Sequence, residues 1–193
     1  MIASHDTLTY LHPRWWILRL FKPLWKTQRL NIAEQMEVGV GYLDIRVRHT
    51  GKGWRFCHGW ADLGKKCCPT VVELLDGVVP ETLPFRLLLE RGGEEDISLF
   101  ETEWKKVLEV YPNLDAVVVK RIWKVLRPTK WSGDDSCIYM PWLSNNSLKE
   151  NIKRFLSNIS TPYRWAKKHN SKVTEGMRQD PNSIYWLDFV ELR

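Results

Sequence analysis

Residues 42–47 read YLDIRV, an apolar run in which Asp44 and Arg46 stand two positions apart. Side chains two apart along a strand point to the same face of a sheet, so both charged groups share one side of the predicted strand. Charged groups also end short apolar runs in SHD at 4–6 and FCHG at 56–59. Charges that point into a barrel need a functional reason or a full network of partners. Together the three stretches predict an active site at the ends of strands.

The remaining chain alternates short β-branched or aromatic runs with helical stretches, which is typical of an α/β fold with a largely parallel sheet. The predicted strands cover residues 1–3, 41–47, 54–57, 85–89, 116–122, 137–142 and 183–190. The predicted helices cover residues 31–38, 70–77, 98–111 and 147–158. A closed (β/α)8 barrel normally needs about 250 residues. A barrel in this chain would therefore be compact or degenerate, with an incomplete βα unit around residues 160–177.

The composition suits a single globular domain over residues 1–193. The net charge of +6 at pH 7 favours an anionic partner, which leaves a phosphate ester, an acidic membrane surface or nucleic acid. No run of about 18 apolar residues is present, and the opening residues MIAS do not look like a signal peptide. We therefore expect no membrane span and leave the compartment open. The cysteines, of which Cys67 and Cys68 are adjacent, are expected to be free thiols or core residues.

Histidines and an arginine beside carboxylates suit in-line displacement at a phosphate ester. One histidine takes a proton from the attacking hydroxyl, another gives a proton to the leaving oxygen, and the guanidinium holds the charge on phosphorus. The flanking charges favour these roles for His5 and His58. The other histidines lack that setting and are expected to be surface or structural residues: His12, His49 and His169.

Asp188 lies within the apolar run IYWLDFV at 184–190, where a buried carboxylate needs a partner. His5 is the natural partner if the first and last strands pair. This expectation links the two ends of the chain.

The chain resembles the catalytic X domain of bacterial phosphatidylinositol-specific phospholipase C. The residues that carry the resemblance over the first part of the chain are SHD at 4–6, WKTQ at 25–28, IAEQMEVGVGYLDIR at 32–46, HG at 58–59 and LLLE at 87–90. Two later stretches, YRWAKKHN at 163–170 and WLDFV at 186–190, are similar to the later part of related barrels. The resemblance implies a degenerate TIM-type barrel with its site at the carboxyl ends of the strands.

The resemblance also implies an activity and the residues that perform it. Family members cleave the phosphodiester between inositol and diacylglycerol and use the 2-hydroxyl of the sugar as nucleophile, so that the first product is a cyclic inositol phosphate. The implied roles are a base His5 oriented by Asp188, an acid His58 assisted by Asp6, and a phosphate-binding Arg46 beside Asp44. In the metal-dependent relatives, calcium stands where this arginine lies.

One position departs from the metal-free pattern. Glu90 follows LLL at 87–89, where the metal-free bacterial enzymes tend to carry lysine and the calcium enzymes carry glutamate. An acidic cup of Asp6, Asp44 and Glu90 could hold Ca²⁺ or Mg²⁺ through oxygen ligands. We nevertheless expect no metal cofactor, because Arg46 would repel a cation beside it.

Substrate binding is expected from four further residues. Arg91 either neutralises Glu90 or reaches the substrate, while Lys120 and Tyr163 are placed at the mouth of the barrel. With Glu90, these residues complete the predicted site.

Residues 14–26 read RWWILRLFKPLWK, with aromatic and basic side chains and no acid. This composition suits an element that lies on an anionic bilayer, with Trp15, Trp16 and Trp25 at the level of the headgroups. The alternative is that Trp15, Trp16 and Leu20 pack on the flank of the barrel. No nucleic-acid partner is expected.

Two other functions remain open on the sequence. The chain could be a non-catalytic membrane- or phospholipid-binding module that kept the pocket, in which case it would sediment with anionic liposomes without hydrolysing them. It could also be a metal-dependent phosphodiesterase of the glycerophosphodiesterase or sphingomyelinase D type, in which case a chelator would remove the activity.

Overall fold

The computed structural model describes residues 1–120, 124–126, 137–139 and 161–193. The strands are β1 Ile2–Ser4, β2 Tyr42–Thr50, β3 Gly53–His58, β4 Ala61–Cys68, β5 Phe85–Leu89, β6 Leu114–Val119, β7 Lys124–Leu126, β8 Cys137–Tyr139 and β9 Ile184–Leu187. The α-helices are α1 Trp16–Leu20, α2 Lys22–Trp25, α3 Ile32–Glu37, α4 Val71–Leu75, α5 Glu94–Val110, α6 Pro162–His169 and α7 Val173–Gln179. Short 3₁₀ turns cover Thr7–Tyr10, Asn170–Lys172 and Val190–Leu192.

The strands form one curled sheet in the order β7-β6-β5-β2-β1-β9-β8. Every neighbouring pair from β6 to β8 along this order is parallel. Three pairs are antiparallel: β7 on β6, β3 on β2, and β4 on β3. The predicted α/β class with a largely parallel sheet is therefore confirmed, in the form of a degenerate barrel. The parallel pairing of β1 with β9 joins the first and last strands, as the sequence predicted.

The central strands are buried on both faces, which is why they read as continuous apolar runs. All residues of β5 and the first six of β2 are buried, as expected for parallel strands covered by helices. The long helix α5 packs Phe100 and Val107 onto this sheet, and each is fully buried. Burying such a side chain stabilises the fold by roughly 1.5–3 kcal/mol.

Local signals set the ends of several helices. Asn31 caps α3, since its Oδ1 accepts the Glu34 N–H at 3.0 Å while the Glu34 carboxylate accepts the Asn31 N–H at 2.7 Å. The predicted helix at 98–111 starts earlier, at Glu94, because the Gly93 N–H donates to the Asp96 carboxylate at 2.8 Å. These reciprocal bonds satisfy amides that a helix start otherwise leaves free.

The sequence missed one strand, and its other unmatched expectations fall on residues that are described only in part or not at all. Residues 61–68 form β4, which the sequence did not predict, because the exposed Lys65 and Lys66 at its centre break the apolar pattern. The expected incomplete βα unit around 160–177 contains helices α6 and α7 over its described part. The predicted helix at 147–158, and the part of the predicted strand beyond Tyr139, lie outside the described residues.

Candidate active site

The parallel strands β1, β5 and β9 place predicted site residues at their carboxyl ends, while β2 contributes from its first five residues and the antiparallel strand β3 from its last one. His5 and Asp6 follow β1, Asp44 and Arg46 lie in β2, and His58 ends β3. Glu90 directly follows β5, and Asp188 directly follows β9. Because the carboxyl ends of parallel strands meet at one edge, residues far apart in the sequence become neighbours. All six residues predicted to be catalytic lie in one connected cluster.

His5 contacts acidic groups through one nitrogen and a guanidinium through the other. Its Nδ1 lies 2.8 Å from Asp188 Oδ1 and 3.3 Å from Asp6 Oδ2. Its Nε2 lies 3.0 Å from Arg46 Nη2. A guanidinium can only donate, so Nε2 is the acceptor in this contact and Nδ1 carries the proton toward Asp188. The predicted contact between His5 and Asp188 is therefore present, and it fixes the tautomer of His5.

Asp6 stands at the centre of the cluster, in a sharp turn. Its φ of 49° is left-handed, which bends the chain directly after β1. The Asp6 N–H donates to Asp44 Oδ2 at 3.0 Å, and its carboxylate pairs with Arg46 and with His58 Nε2, the latter at 3.1 Å. Burial alone would raise the pKa of Asp6, but Arg46, His5 and His58 lower it, so the group is held as a carboxylate.

His58 is the second histidine of the cluster. Burial lowers its pKa, but the charge and hydrogen bond of the Asp6 carboxylate and the charge of Glu90 raise the pKa, so the net shift is upward. Its Nδ1 is buried and has no hydrogen-bond partner among the described residues. The upward shift favours the imidazolium form, in which Nδ1 carries a proton that no described residue accepts.

Arg46 is surrounded by carboxylates. Its guanidinium donates to Asp44 Oδ2 at 2.9 and 3.1 Å, pairs with Asp6, and lies 3.5 Å from Glu90 Oε1. Burial would lower its pKa, but the three carboxylates raise the pKa further above its ordinary value. The side chain is thus a permanently charged, fixed fork beside both histidines.

Arg86 in β5 was not predicted. Its Nε and Nη2 donate to Asp44 at 2.9 and 3.1 Å, and its guanidinium carbon lies 3.9 Å above the Trp186 ring. Burial would raise the pKa of Asp44, but Arg46 and Arg86 together hold it well below its ordinary value. Arg86 is the single charged residue in the apolar run FRLLL at 85–89. A charge within an apolar run is the signal that identified Asp44, so the sequence carried the same signal for Arg86.

Glu90 takes its main cation from the next strand. Lys120, directly after β6, pairs with Glu90 Oε1, and the Gly59 N–H donates to Glu90 Oε2 at 2.9 Å. Burial raises the pKa of Glu90, whereas Arg46 and Lys120 lower it to a net value below the ordinary one. The expectation that Arg91 neutralises Glu90 was wrong: Arg91 is exposed and lies over the Trp60 ring at 5.3 Å.

Tyr163 and Trp25 lie at the edge of the site. The Tyr163 ring packs edge-on against the ring of Phe189, the residue after Asp188, with 5.2 Å between the ring centroids. The guanidinium carbon of Arg29 lies 3.9 Å from the centroid of the Tyr163 ring. The Trp25 ring is half-buried, donates its Nε1–H to Leu18 O at 3.1 Å and lies 6.4 Å from the His58 ring. Trp25 therefore borders the candidate site.

Two buried side-chain amides fix the backbone at these strand ends, and one of them, Gln28, joins the end of β1 to the end of β9. Gln28 donates through Nε2 to His5 O at 3.0 Å and to Leu187 O at 2.8 Å. Asn170 donates through Nδ2 to Asp188 O at 2.7 Å. Both residues lie in stretches that carried the sequence resemblance, but no local pattern reveals which distant carbonyls they bind.

The cluster also contains a set of possible metal ligands. Ligand atoms of His5, Asp6 and Asp44 lie within 4.8 Å of one another. The Arg46 guanidinium contacts all three of these residues. Oxygen and imidazole donors suit a divalent cation. In this cluster, however, these three residues already bind the positively charged guanidinium of Arg46.

Parallel strand ends that carry this charge cluster define a phospholipase C-like α/β barrel. No family model matches the sequence. A curated relative, 1-phosphatidylinositol phosphodiesterase of Listeria monocytogenes, is 27% identical over 112 residues, which cover 56% of this chain and 33% of the relative. The chain thus matches about a third of that relative's length.

Two solved structures share the fold. The phosphatidylinositol-specific phospholipase C from Listeria monocytogenes matches with a TM-score of 0.60 and 17% identity, covering 98% of this chain and 87% of that chain. A phosphatidylinositol-specific phospholipase C from Staphylococcus aureus matches with a TM-score of 0.54 and 14% identity, covering 98% and 85%. The resemblance stated from the sequence is therefore confirmed at the level of the fold.

Within the described part of the chain, no helix is long and apolar enough to cross a membrane.

Proposed function

We propose that the protein is a phosphodiesterase of the phospholipase C type that cleaves phosphatidylinositol without a metal ion. The observation that carries this proposal is the convergence of His5 and His58 on one carboxylate, Asp6, beside the buried Arg46. A base, an acid and a phosphate-binding fork within one cluster are the groups that phosphodiester displacement requires.

His5 acts as the base. Asp188 holds the proton on Nδ1 at 2.8 Å, which leaves the lone pair of Nε2 beside Arg46. A phosphate bound to Arg46 brings the neighbouring 2-hydroxyl of inositol toward Nε2. The same Asp188 carboxylate stabilises the imidazolium that forms when His5 takes the proton.

His58 acts as the acid. Asp6 raises its pKa and so favours the protonated ring at neutral pH. Nδ1, which is free among the described residues, is the nitrogen that delivers the proton. In the step, a bond forms between the 2-oxygen of inositol and phosphorus while the bond from phosphorus to the diacylglycerol oxygen breaks. His5 receives the hydroxyl proton and His58 gives one to the leaving oxygen, so the products are a cyclic inositol phosphate and diacylglycerol.

Arg46 binds the phosphate oxygens and stabilises their charge. Its guanidinium is held in place by Asp44, which Arg86 fixes from the other side. We propose metal-independent catalysis because Arg46 places its charge among the atoms of His5, Asp6 and Asp44 that a cation would need.

We propose that an exposed aromatic patch, residues 15–21, contacts the membrane. Trp15 and Trp16 are 65% and 70% exposed, and Leu20 is 68% exposed. The alternative, in which these side chains pack on the flank of the barrel, does not agree with this exposure. Aromatic rings flanked by Arg14, Arg19 and Lys22 suit an anionic lipid surface.

The test is hydrolysis of phosphatidylinositol vesicles by His5→Ala, His58→Ala and the control His49→Ala, which removes a histidine that pairs with Asp96. Each of the first two variants is expected to lose about 10²–10⁴-fold in rate, with an unchanged circular dichroism spectrum, while the control keeps its rate. A folded His5→Ala or His58→Ala variant with wild-type turnover would contradict the proposal.

A further inference from the structure

A cavity lies outside the candidate active site, between the β2–β3 turn and the aromatic patch. Its volume is about 500 Å³. The residues that line it and enter the argument are Arg14, Trp15, Trp16, Lys52, Arg55 and Asp62. Cations and indoles therefore make up most of its wall.

Arg55 is the buried cation of this cavity. It lies in β3 directly opposite Arg48 of β2 and is only 5% exposed. Asp62 neutralises Arg48, because the Arg48 Nε–H donates to Asp62 Oδ1 at 2.6 Å. Arg55 donates to Lys66 O at 3.5 Å, and no carboxylate pairs with it among the described residues. A buried guanidinium without an anionic partner is unfavourable, so an anion that entered the cavity would relieve this cost.

Arg14 and Lys52 add two exposed cations at the rim. The Arg14 N–H donates to Asp62 O at 2.9 Å, and the Gly64 N–H donates to His12 O at 2.8 Å. These bonds fix the start of the aromatic patch along β4 and hold Arg14 over the cavity. Asp62, the acid in the wall, is already paired with Arg48, so the cavity has a net positive charge.

The cavity lies on the same face of β2 as the candidate active site. Arg46, Arg48 and Thr50 alternate along this strand and so share a face, and Thr50 lines the cavity. The four residue steps from Arg46 to Thr50 span about 13 Å. The Thr50 end of the cavity therefore lies away from Arg46 along the strand, while Arg55 lies nearer, opposite Arg48.

We propose that this cavity is a second anion site, which binds a phosphate group other than the one that is cleaved. Arg55 supplies a fork for phosphate oxygens, and Arg14 and Lys52 supply further charge. The phosphate belongs either to the headgroup of an anionic phospholipid or to a soluble phosphate ester. The site does not depend on the proposed catalysis, because none of its residues belongs to the catalytic cluster.

The test is a titration of the full chain with glycerol 3-phosphate, followed by NMR of the tryptophan indoles. The signals are assigned with single Trp→Phe variants. Trp15 and Trp16 line the cavity and report on it, whereas Trp25, near His58, reports on the candidate active site. We expect a saturable shift of the Trp15 and Trp16 signals.

The variant for this test is the double substitution Arg14→Ala with Lys52→Ala, which removes exposed side chains only. The matched control is Lys105→Ala with Lys168→Ala, which removes the same charge from exposed positions outside the cavity. Loss of two charged phosphate contacts is expected to weaken binding at Trp15 and Trp16 by about tenfold or more.

A second arm identifies the source of the phosphate, with sedimentation on vesicles of phosphatidylcholine and phosphatidylglycerol in equal parts. If the double variant binds these vesicles more weakly than the control, the ligand is a lipid headgroup; equal binding assigns the site to a soluble phosphate ester. Equal affinity of the double variant and the control for glycerol 3-phosphate would overturn the proposal. A shift confined to Trp25 would also overturn it, while leaving the proposed catalysis intact.

Discussion

Arg46→Gln removes the guanidinium around which the candidate active site is built. In the folded protein Arg46 contacts Asp6, Asp44 and Glu90. Asp44 keeps Arg86 and Glu90 keeps Lys120 after the substitution, so the main loss falls on Asp6. Breaking a buried ion pair from one side costs about 3–5 kcal/mol. Since two of the three carboxylates keep a cation, we expect a decrease of about 3 kcal/mol in the free energy of unfolding at neutral pH.

The pH dependence of this loss has a defined sign. In the wild-type protein the pKa values of Asp6, Asp44 and Glu90 are lowered. Their stabilising contribution is therefore complete above the ordinary carboxyl pKa of about 4 and is lost as the pH falls through the folded values. Without Arg46, only the two histidines offset the effect of burial on Asp6, so its pKa rises relative to the wild-type protein and acid neutralises the carboxylate. The difference in stability between wild type and Arg46→Gln is thus largest at neutral pH and shrinks toward acid pH.

Urea unfolding from about pH 7 down to about pH 3 measures this difference, because the range then extends below the ordinary carboxyl pKa of about 4. The matched control is Arg178→Gln, which removes the same group from an exposed position in the last turn of α7 and leaves Arg46 and its three carboxylates intact. We expect the control to keep the wild-type dependence of stability on pH. An Arg46→Gln variant as stable as wild type at neutral pH, or a difference that stays constant with pH, would refute the reasoning.

Three further predictions concern activity and membranes. Asp6→Asn removes the charge that raises the pKa of His58, so the fall in kcat/KM with rising pH should begin at a lower pH than in wild type; an unchanged pH profile would contradict this. Arg46→Lys keeps the charge but not the fork, and should lower kcat by about 10²–10³-fold, whereas Arg48→Lys should leave kcat near the wild-type value; equal rates in both would count against the phosphate-binding role. Trp16→Ala removes an exposed indole and should weaken sedimentation with anionic vesicles, while full retention of binding would place the membrane contact elsewhere.

The sequence predicted the parts of the site that stand out against apolar runs. Asp44, Arg46 and Asp188 were found because a charge inside a buried strand requires a partner. The contact between His5 and Asp188 followed from pairing the first strand with the last. Arg86 obeyed the same rule, but was missed because it was read as part of a plain apolar strand.

Other features depend on tertiary structure and leave no local signal. Lys120 rather than Arg91 pairs with Glu90, because β6 lies beside β5 and places Lys120 at the same edge. Gln28 binds Leu187 O across 159 positions of sequence. Strand β4 escaped prediction because its pairing with β3, and not its own pattern, makes it a strand.

The central claim is metal-free displacement by the inositol hydroxyl, and phosphorus NMR of phosphatidylinositol vesicles incubated with the protein tests it most directly. The spectra are recorded with and without a chelator of divalent cations. The account predicts a cyclic inositol phosphate signal that appears at the same rate in both samples. Loss of the signal on chelation would contradict the metal-independent mechanism, and absence of a cyclic product from both samples would contradict the proposed reaction.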